Sequence, residues 1–206
     1  PLGLQWGDGH ITRIGEAVAR FHAAARKHPV DEAGRTEDWK DLLDKGLESV
    51  RTNGVRDETR WVNAIKALRS RVKDLADEWD DRDTNQWLHG DVHLANAMSR
   101  DGLNEGSVSL IDLAEVHAGH WLEDAIYLER QLWARPERMA KEKPVQIVAK
   151  ARKKHGLTVE EHYPRLAMIR RALLAGTAPK FIRSEGNPVH LAACLDRLEV
   201  ALSELK

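Results

Sequence analysis

Cysteine is nearly missing. One thiol, Cys194, in 206 residues excludes a disulfide framework and points to a reducing compartment. It lies in an apolar helical pattern with Leu191, Ala192, Leu195 and Leu198, which predicts a buried, unreactive side chain. Long apolar runs are missing too. Nothing approaches the roughly 20 residues that span a bilayer, and no signal-peptide core stands near the start, so a cytoplasmic protein without a membrane partner is expected. Charge of one sign is also lacking, with 32 Lys and Arg against 33 Asp and Glu. No overall field gathers nucleic acid, and none is expected as a partner. A basic run from Arg138 to Arg171 has no interleaved aromatics and reads as a solvated helix face.

What is present excludes disorder, because Leu, Ala, Val and Ile are spread along the whole length. The length favours one domain over residues 1–206. Apolar residues at helical spacing predict a first helix from Ile11 to Ala25, stopped by Pro29. A second begins at an N-cap at Thr36 and carries Trp39, Leu42, Leu43 and Leu47. The stripe Trp61, Ile65, Leu68, Val72, Leu75, Trp79 predicts one long helix from Asp57 to Trp79. Trp39, Trp61 and Trp79 fall on these stripes and are read as core.

The texture then changes. Gln86 to Asp91 reads as a short strand entering a tight turn, and Val108 to Leu113 as a second strand after a loop from Ser99 to Ser107. Helices resume at Trp121–Trp133, Val145–His155, Val159–Ala175 and Pro188–Leu205. The predicted fold is mostly α with a small β-hairpin element. A helical part (10–80) precedes a loop and hairpin (85–113), and a second helical part (119–206) follows.

The hairpin holds the unusual residues, His89-Gly90-Asp91-Val92-His93-Leu94-Ala95-Asn96 and then Ile111-Asp112. Moving a phosphoryl group from a nucleotide to an alcohol needs a carboxylate at the acceptor hydroxyl and oxygen ligands for a magnesium ion. Asp91, then Asn96 after four residues, then Asp112 at a strand end supply that set.

These residues resemble the aminoglycoside phosphotransferase and choline kinase group, whose fold is protein-kinase-like. That group carries H-G-D-x-x-x-x-N, then a strand with I-D, then G-D-P-x-x-D at a helix start. The corresponding residues here are His89 to Asn96, Ile111-Asp112, and Gly119-His120-Trp121-Leu122-Glu123-Asp124. The Ala-Arg-Phe-His-Ala run of the first helix is similar to the helix after the interlobe hinge of such enzymes. The resemblance implies Asp91 and His89 as catalytic-loop residues, Asn96 and Asp112 as Mg²⁺ ligands, and Asp124 with Gly90 as loop bracing. It implies ATP or GTP as donor and a small-molecule alcohol as acceptor. His93, Trp121 and Trp133 are candidate acceptor-binding residues.

The chain departs from the group's pattern at His120, where the group has Asp, and at Trp121, where it has Pro. Only Gly3, Gly7 and Gly9 precede the first helix, without the pattern of a Gly-rich phosphate loop or a strand bearing a clamping Lys. The resemblance therefore implies the C-terminal lobe alone, with the N-lobe absent from this sequence and expected as a partner segment from the same gene. The opening on Pro1 rather than Met is read as a fragment or processed product, expected to be inactive alone. Two other classes fit parts of the sequence. One is a non-catalytic kinase-like binding or regulatory module. The other is a metal-dependent hydrolase using His89, Asp91, His93, Asp112, His117 and His120.

Overall fold

The computed structural model describes residues 9–99, 106–139 and 142–205. Residues 100–105, the middle of the loop expected from Ser99 to Ser107, and Gly3 and Gly7 lie outside the described residues. In chain order the elements are α1 (His10–Ala25), α2 (Trp39–Thr52), α3 (Glu58–Arg69), α4 (Val72–Asp80), β1 (Trp87–Leu88), β2 (Ala97–Ser99), β3 (Val108–Leu110) and β4 (His117–Ala118). Then follow α5 (Leu122–Arg130), α6 (Pro136–Met139), α7 (Pro144–Lys154), α8 (Tyr163–Thr177), α9 (Ile182–Glu185) and α10 (Pro188–Glu204). The chain is mostly helical, and its β structure is two antiparallel two-stranded sheets. Among the described residues no helix is long and apolar enough to cross a membrane.

The chain forms two compact units. One comprises Pro1–Arg35 with Asp83–Tyr163, the other Thr36–Arg82 with Pro164–Lys206. The second unit is helical. Leu43, Trp61, Ile65, Leu68, Leu195 and Leu198 are buried in it, each contributing roughly 1.5–3 kcal/mol by leaving water. Trp39, Trp61 and Trp79 are buried as read from their stripes. The guanidinium of Arg170 lies 5.0 Å from the ring centres of both Trp39 and Trp79 and donates to Glu37 at 3.0 Å. Cys194 is fully buried.

Two expectations for this unit need correction. The long helix over 57–79 is two helices, because the chain turns at Ser70 and Arg71 and restarts at Val72. The spacing from Leu68 to Val72 keeps the stripe in phase across that turn, so periodicity does not reveal it. The cap of α2 is Asp38 rather than Thr36, its side chain accepting from the Asp41 backbone N–H at 2.9 Å.

The first unit holds the loop. Ile11, Ile14, Val18 and His22 form the buried stripe of α1, which packs on α7. Gly15 permits this approach, since a Cβ there would stand 2.6 Å from the Ile147 side chain. The sheets differ from the expected pairing. β3 pairs with β2, in register Ala97↔Leu110 and Ser99↔Val108. β1, which enters the loop, pairs with β4, in register Trp87↔Ala118 and Leu88↔His117. The loop thus sits between two small sheets, not at the tip of one hairpin.

Candidate active site

The two sheets bring the singled-out residues together. The β1–β4 pairing, extended by Gly119 N–H donating to Gln86 O at 3.0 Å, sets the start of α5 beside the entry to the loop. Asp124, on the first turn of α5 and 1% exposed, reaches into that entry. Its Oδ2 accepts from His89 N–H at 2.9 Å and its Oδ1 from Gly90 N–H at 2.8 Å. Gly90 has φ 82, and a Cβ there would lie 2.1 Å from Glu115 O. No other residue fits that position without moving the backbone. His89 is fully buried, accepts from Asp91 N–H on Nδ1 at 3.3 Å, and places Nε2 3.0 Å from Ile111 O. With Nδ1 accepting, Nε2 carries the proton and donates to that carbonyl.

Beyond the turn, Asn96 is buried and its Nδ2 donates to Asp91 Oδ2 at 2.9 Å and to Asp91 O at 3.1 Å. The same Oδ2 lies 3.2 Å from His93 Nε2, while His93 Nδ1 accepts from Ala95 N–H at 3.1 Å. Ile111 N–H donates to Asn96 O at 2.9 Å, continuing the β2–β3 ladder by one residue. Asp112 is therefore the next residue after a direct bond to Asn96. It is exposed and has φ 63, a left-handed conformation that Asp adopts more readily than most residues. Asp91, Asn96 and the backbone leading into Asp112 form one bonded cluster, tied by His89 to Ile111.

The donors fit a hard cation. With its Nδ2 turned to Asp91, Asn96 has its amide oxygen left, and Asp112 adds a carboxylate, the oxygen chemistry Mg²⁺ prefers. Among the described residues no group of three or more His, Cys, Asp or Glu could hold a metal. Mg²⁺ ordinarily takes one or two protein carboxylates and completes its shell with phosphates and water, so this small donor set suits it. The imidazoles of the hydrolase reading are engaged separately. His117 Nδ1 lies 2.7 Å from Glu115 O, and His120 Nε2 lies 3.3 Å from Glu160 Oε2.

Trp121 and Trp133 are both buried. Their Nε1 groups donate to Glu160 at 2.9 Å and Glu129 at 3.2 Å, which gives these indoles packing positions. His93 is part exposed and borders a cavity of about 330 Å³ with Gln131, Arg135 and Arg138.

Sequence reasoning missed the layer behind Asp124. His22 Nε2 lies 2.9 Å from Asp124 Oδ2, and its Nδ1 lies 3.0 Å from Arg152 Nη1. Arg152, read as part of a solvated basic face, is 4% exposed. It also donates to Gln86 Oε1 at 3.0 Å and to Thr158 O at 2.9 Å. Because Arg152 can only donate, His22 Nδ1 accepts and its Nε2–H points at Asp124. Burial, opposed by Glu160, Asp124 and Asp83, brings the Arg152 pKa down to about 10. Burial would raise Glu160, but His120 and Trp121 outweigh it and hold the carboxyl at about 2.

Burial lowers the His22 pKa below its ordinary 6.5, with Arg152 and His120 adding to this and Asp124 only partly offsetting it. Burial would raise Asp124, but His22 and the His89 and Gly90 N–H groups hold it below the usual range. The pair is a neutral imidazole on an ionised carboxylate. A stability consequence follows, since below pH 6.5 the unfolded chain takes up a proton at His22 that the folded chain refuses. Stability therefore falls as pH is lowered from that value. His117 acts in the opposite sense, its pKa being raised mainly by Glu123. The comparison isolating His22 is the urea midpoint from pH 7.5 to 5 in wild type and His22→Gln. The variant is expected to lose less stability on acidification, and identical slopes would contradict the neutral-His22 assignment.

Against known proteins, the model of a family described as phosphotransferase enzyme family (APH) matches residues 7–169. Among solved structures, the chain is similar to an aminoglycoside phosphotransferase from Alicyclobacillus acidocaldarius. The two are 15% identical with a TM-score of 0.53, over 98% of this chain and 67% of that one. The AMP-bound spectinomycin phosphotransferase APH(9)-Ia gives 12% identity and a TM-score of 0.46, over 98% and 68%. At these identities the first likeness speaks for the fold alone, and the second is too distant to argue from. No curated protein matches the chain by sequence.

Proposed function

Since the chain belongs to the phosphotransferase enzyme family, matched over residues 7–169, we propose that it carries the catalytic loop and metal-binding strand of an ATP- or GTP-dependent kinase acting on a small-molecule alcohol. The observation that supports this best is the bond from the Asn96 amide to Asp91, with Ile111 paired to Asn96 O so that Asp112 follows directly. One general base and two oxygen ligands are what this transfer asks of a protein.

Asp91 Oδ2 is occupied by Asn96 and His93, which leaves Oδ1 to receive the acceptor proton. As that proton moves, the acceptor oxygen bonds to the γ-phosphorus and the bond to the β–γ bridging oxygen breaks, releasing the nucleoside diphosphate. A magnesium ion held by Asn96 and Asp112 would offset the phosphate charge during the transfer. His89 is a positioning residue, joining the loop to the strand end through Ile111 O. Asp124, His22 and Arg152 hold the loop from behind.

In this proposal the chain corresponds to the larger lobe of the fold, and a further segment clamps the nucleotide. The matched aminoglycoside phosphotransferase is longer than this chain, which covers 67% of it. The test is nucleotide consumption by the full gene product. Consumption should require both an added alcohol and Mg²⁺ and stop when EDTA removes the metal. Consumption indifferent to the alcohol would contradict the reading.

A further inference from the structure

The cavity of about 330 Å³ beside the loop lies at the small end of ligand cavities, which run from roughly 300 to 1,000 Å³. His93 is in its wall, and His93 Nε2 is 3.2 Å from Asp91 Oδ2, so the cavity borders the proposed reaction centre. The cavity is also lined by Gln131, Arg135 and Arg138, and among the described residues no carboxylate lines it. Arg138 N–H donates to Arg135 O at 2.9 Å, so the two arginines bracket a single turn.

Their guanidinium groups are unusual for this unit. Arg13 donates to Gly106 O, Arg20 to Val108 O, Arg26 to Gly156 O and Arg152 to Gln86 and Thr158. Arg35 lies 3.5 Å from Glu115. Among the described residues, neither Arg135 nor Arg138 has a side-chain hydrogen bond or an acidic partner. Two unopposed guanidinium groups beside an acceptor repel an ammonium and attract an oxyanion, whose paired oxygens match the guanidinium fork.

We infer that the acceptor alcohol carries an oxyanion, a carboxylate or a phosphate, held by Arg135 and Arg138 while its hydroxyl faces Asp91. This rests on the kinase reading of the loop and sets the chain apart from acceptors that are cations, such as choline or aminoglycosides.

The experiment uses four three-carbon alcohols differing in charge: glycerate, glycerol 3-phosphate, glycerol and serinol. Binding to the 206-residue chain is followed by amide NMR shifts in wild type, Arg135→Gln/Arg138→Gln and Arg135→Lys/Arg138→Lys. At least one anionic compound should bind about tenfold or more tightly than glycerol or serinol. Its shifts should centre on His93 and Leu94, and the tighter anion identifies the group recognised. The glutamine pair should abolish the preference, and the lysine pair should keep part of it. Serinol binding as well as the anions, or anion binding untouched by the glutamine pair, would overturn the inference. So would a matching loss of nucleotide affinity when the glutamine pair is placed in the full gene product, which would assign the arginines to the donor.

These measurements need no turnover and therefore separate from the kinase reading. Phosphorylation of serinol in preference to glycerate by the full gene product would refute the charge preference and leave the kinase reading standing. Anion binding at the arginines with no transfer to any alcohol would refute the kinase reading and leave the oxyanion site.

Discussion

Replacing Asp112 by Ala should lower turnover of the full gene product about a thousandfold while the protein stays folded, because in the proposed site the metal would lose its one charged protein ligand. Asp112 is exposed, so the substitution opens no cavity. Its φ of 63 is the remaining concern, since Ala is less at ease there by roughly 1–2 kcal/mol. Asp112→Asn removes that ambiguity. Asn tolerates the left-handed conformation as Asp does, and it removes only the charge. Both variants should lose most activity, with thermal midpoints showing that only Ala carries a stability cost. Turnover close to wild type in Asp112→Asn, at saturating Mg²⁺, would remove the strand Asp from the metal site.

The second large effect is at Asp91. Asp91→Asn keeps an oxygen to accept from Asn96 and His93 and removes the proposed base, so activity should fall by about 10²- to 10⁴-fold. The loop should keep its shape, because the braces on it are backbone bonds from His89 and Gly90 to Asp124. Nucleotide affinity should stay within about threefold, since base catalysis acts on the acceptor. Steady-state kinetics together with nucleotide titration separate these outcomes. A loss of affinity as large as the loss of rate would make Asp91 a binding residue.

How much of this was legible in the sequence varies with the kind of signal. The loop was legible because chemistry restricts it. A turn that admits only glycine, a carboxylate, and a carboxamide five residues later are uncommon together, and the next Ile-Asp completes them. The ladder bond from Ile111 to Asn96 is what that spacing encodes. The strand pairing was not legible. β1 and β4 are two residues each, too short for alternation to show, and they pair across 28 residues of intervening loop and hairpin.

The bracing layer was hidden for a different reason. His22 occupies a core position of α1, and from sequence a histidine on an apolar stripe looks like packing. Arg152 stands in a basic run in which Lys153 and Lys154 are exposed, and only the fold turns its side chain inward. One signal pointed there. His120 and Trp121 depart from the resembling group's pattern, and both contact Glu160, whose neighbour in space is Arg152. The two positions that depart from the pattern thus stand in the support behind the loop.

The most direct test of the central claim is phosphorus NMR of the products made by the full gene product from ATP, Mg²⁺ and a mixture of small alcohols. The account predicts a phosphate ester of one alcohol appearing in step with ADP. Inorganic phosphate as the sole product, or no loss of ATP under any of the mixtures, would contradict it.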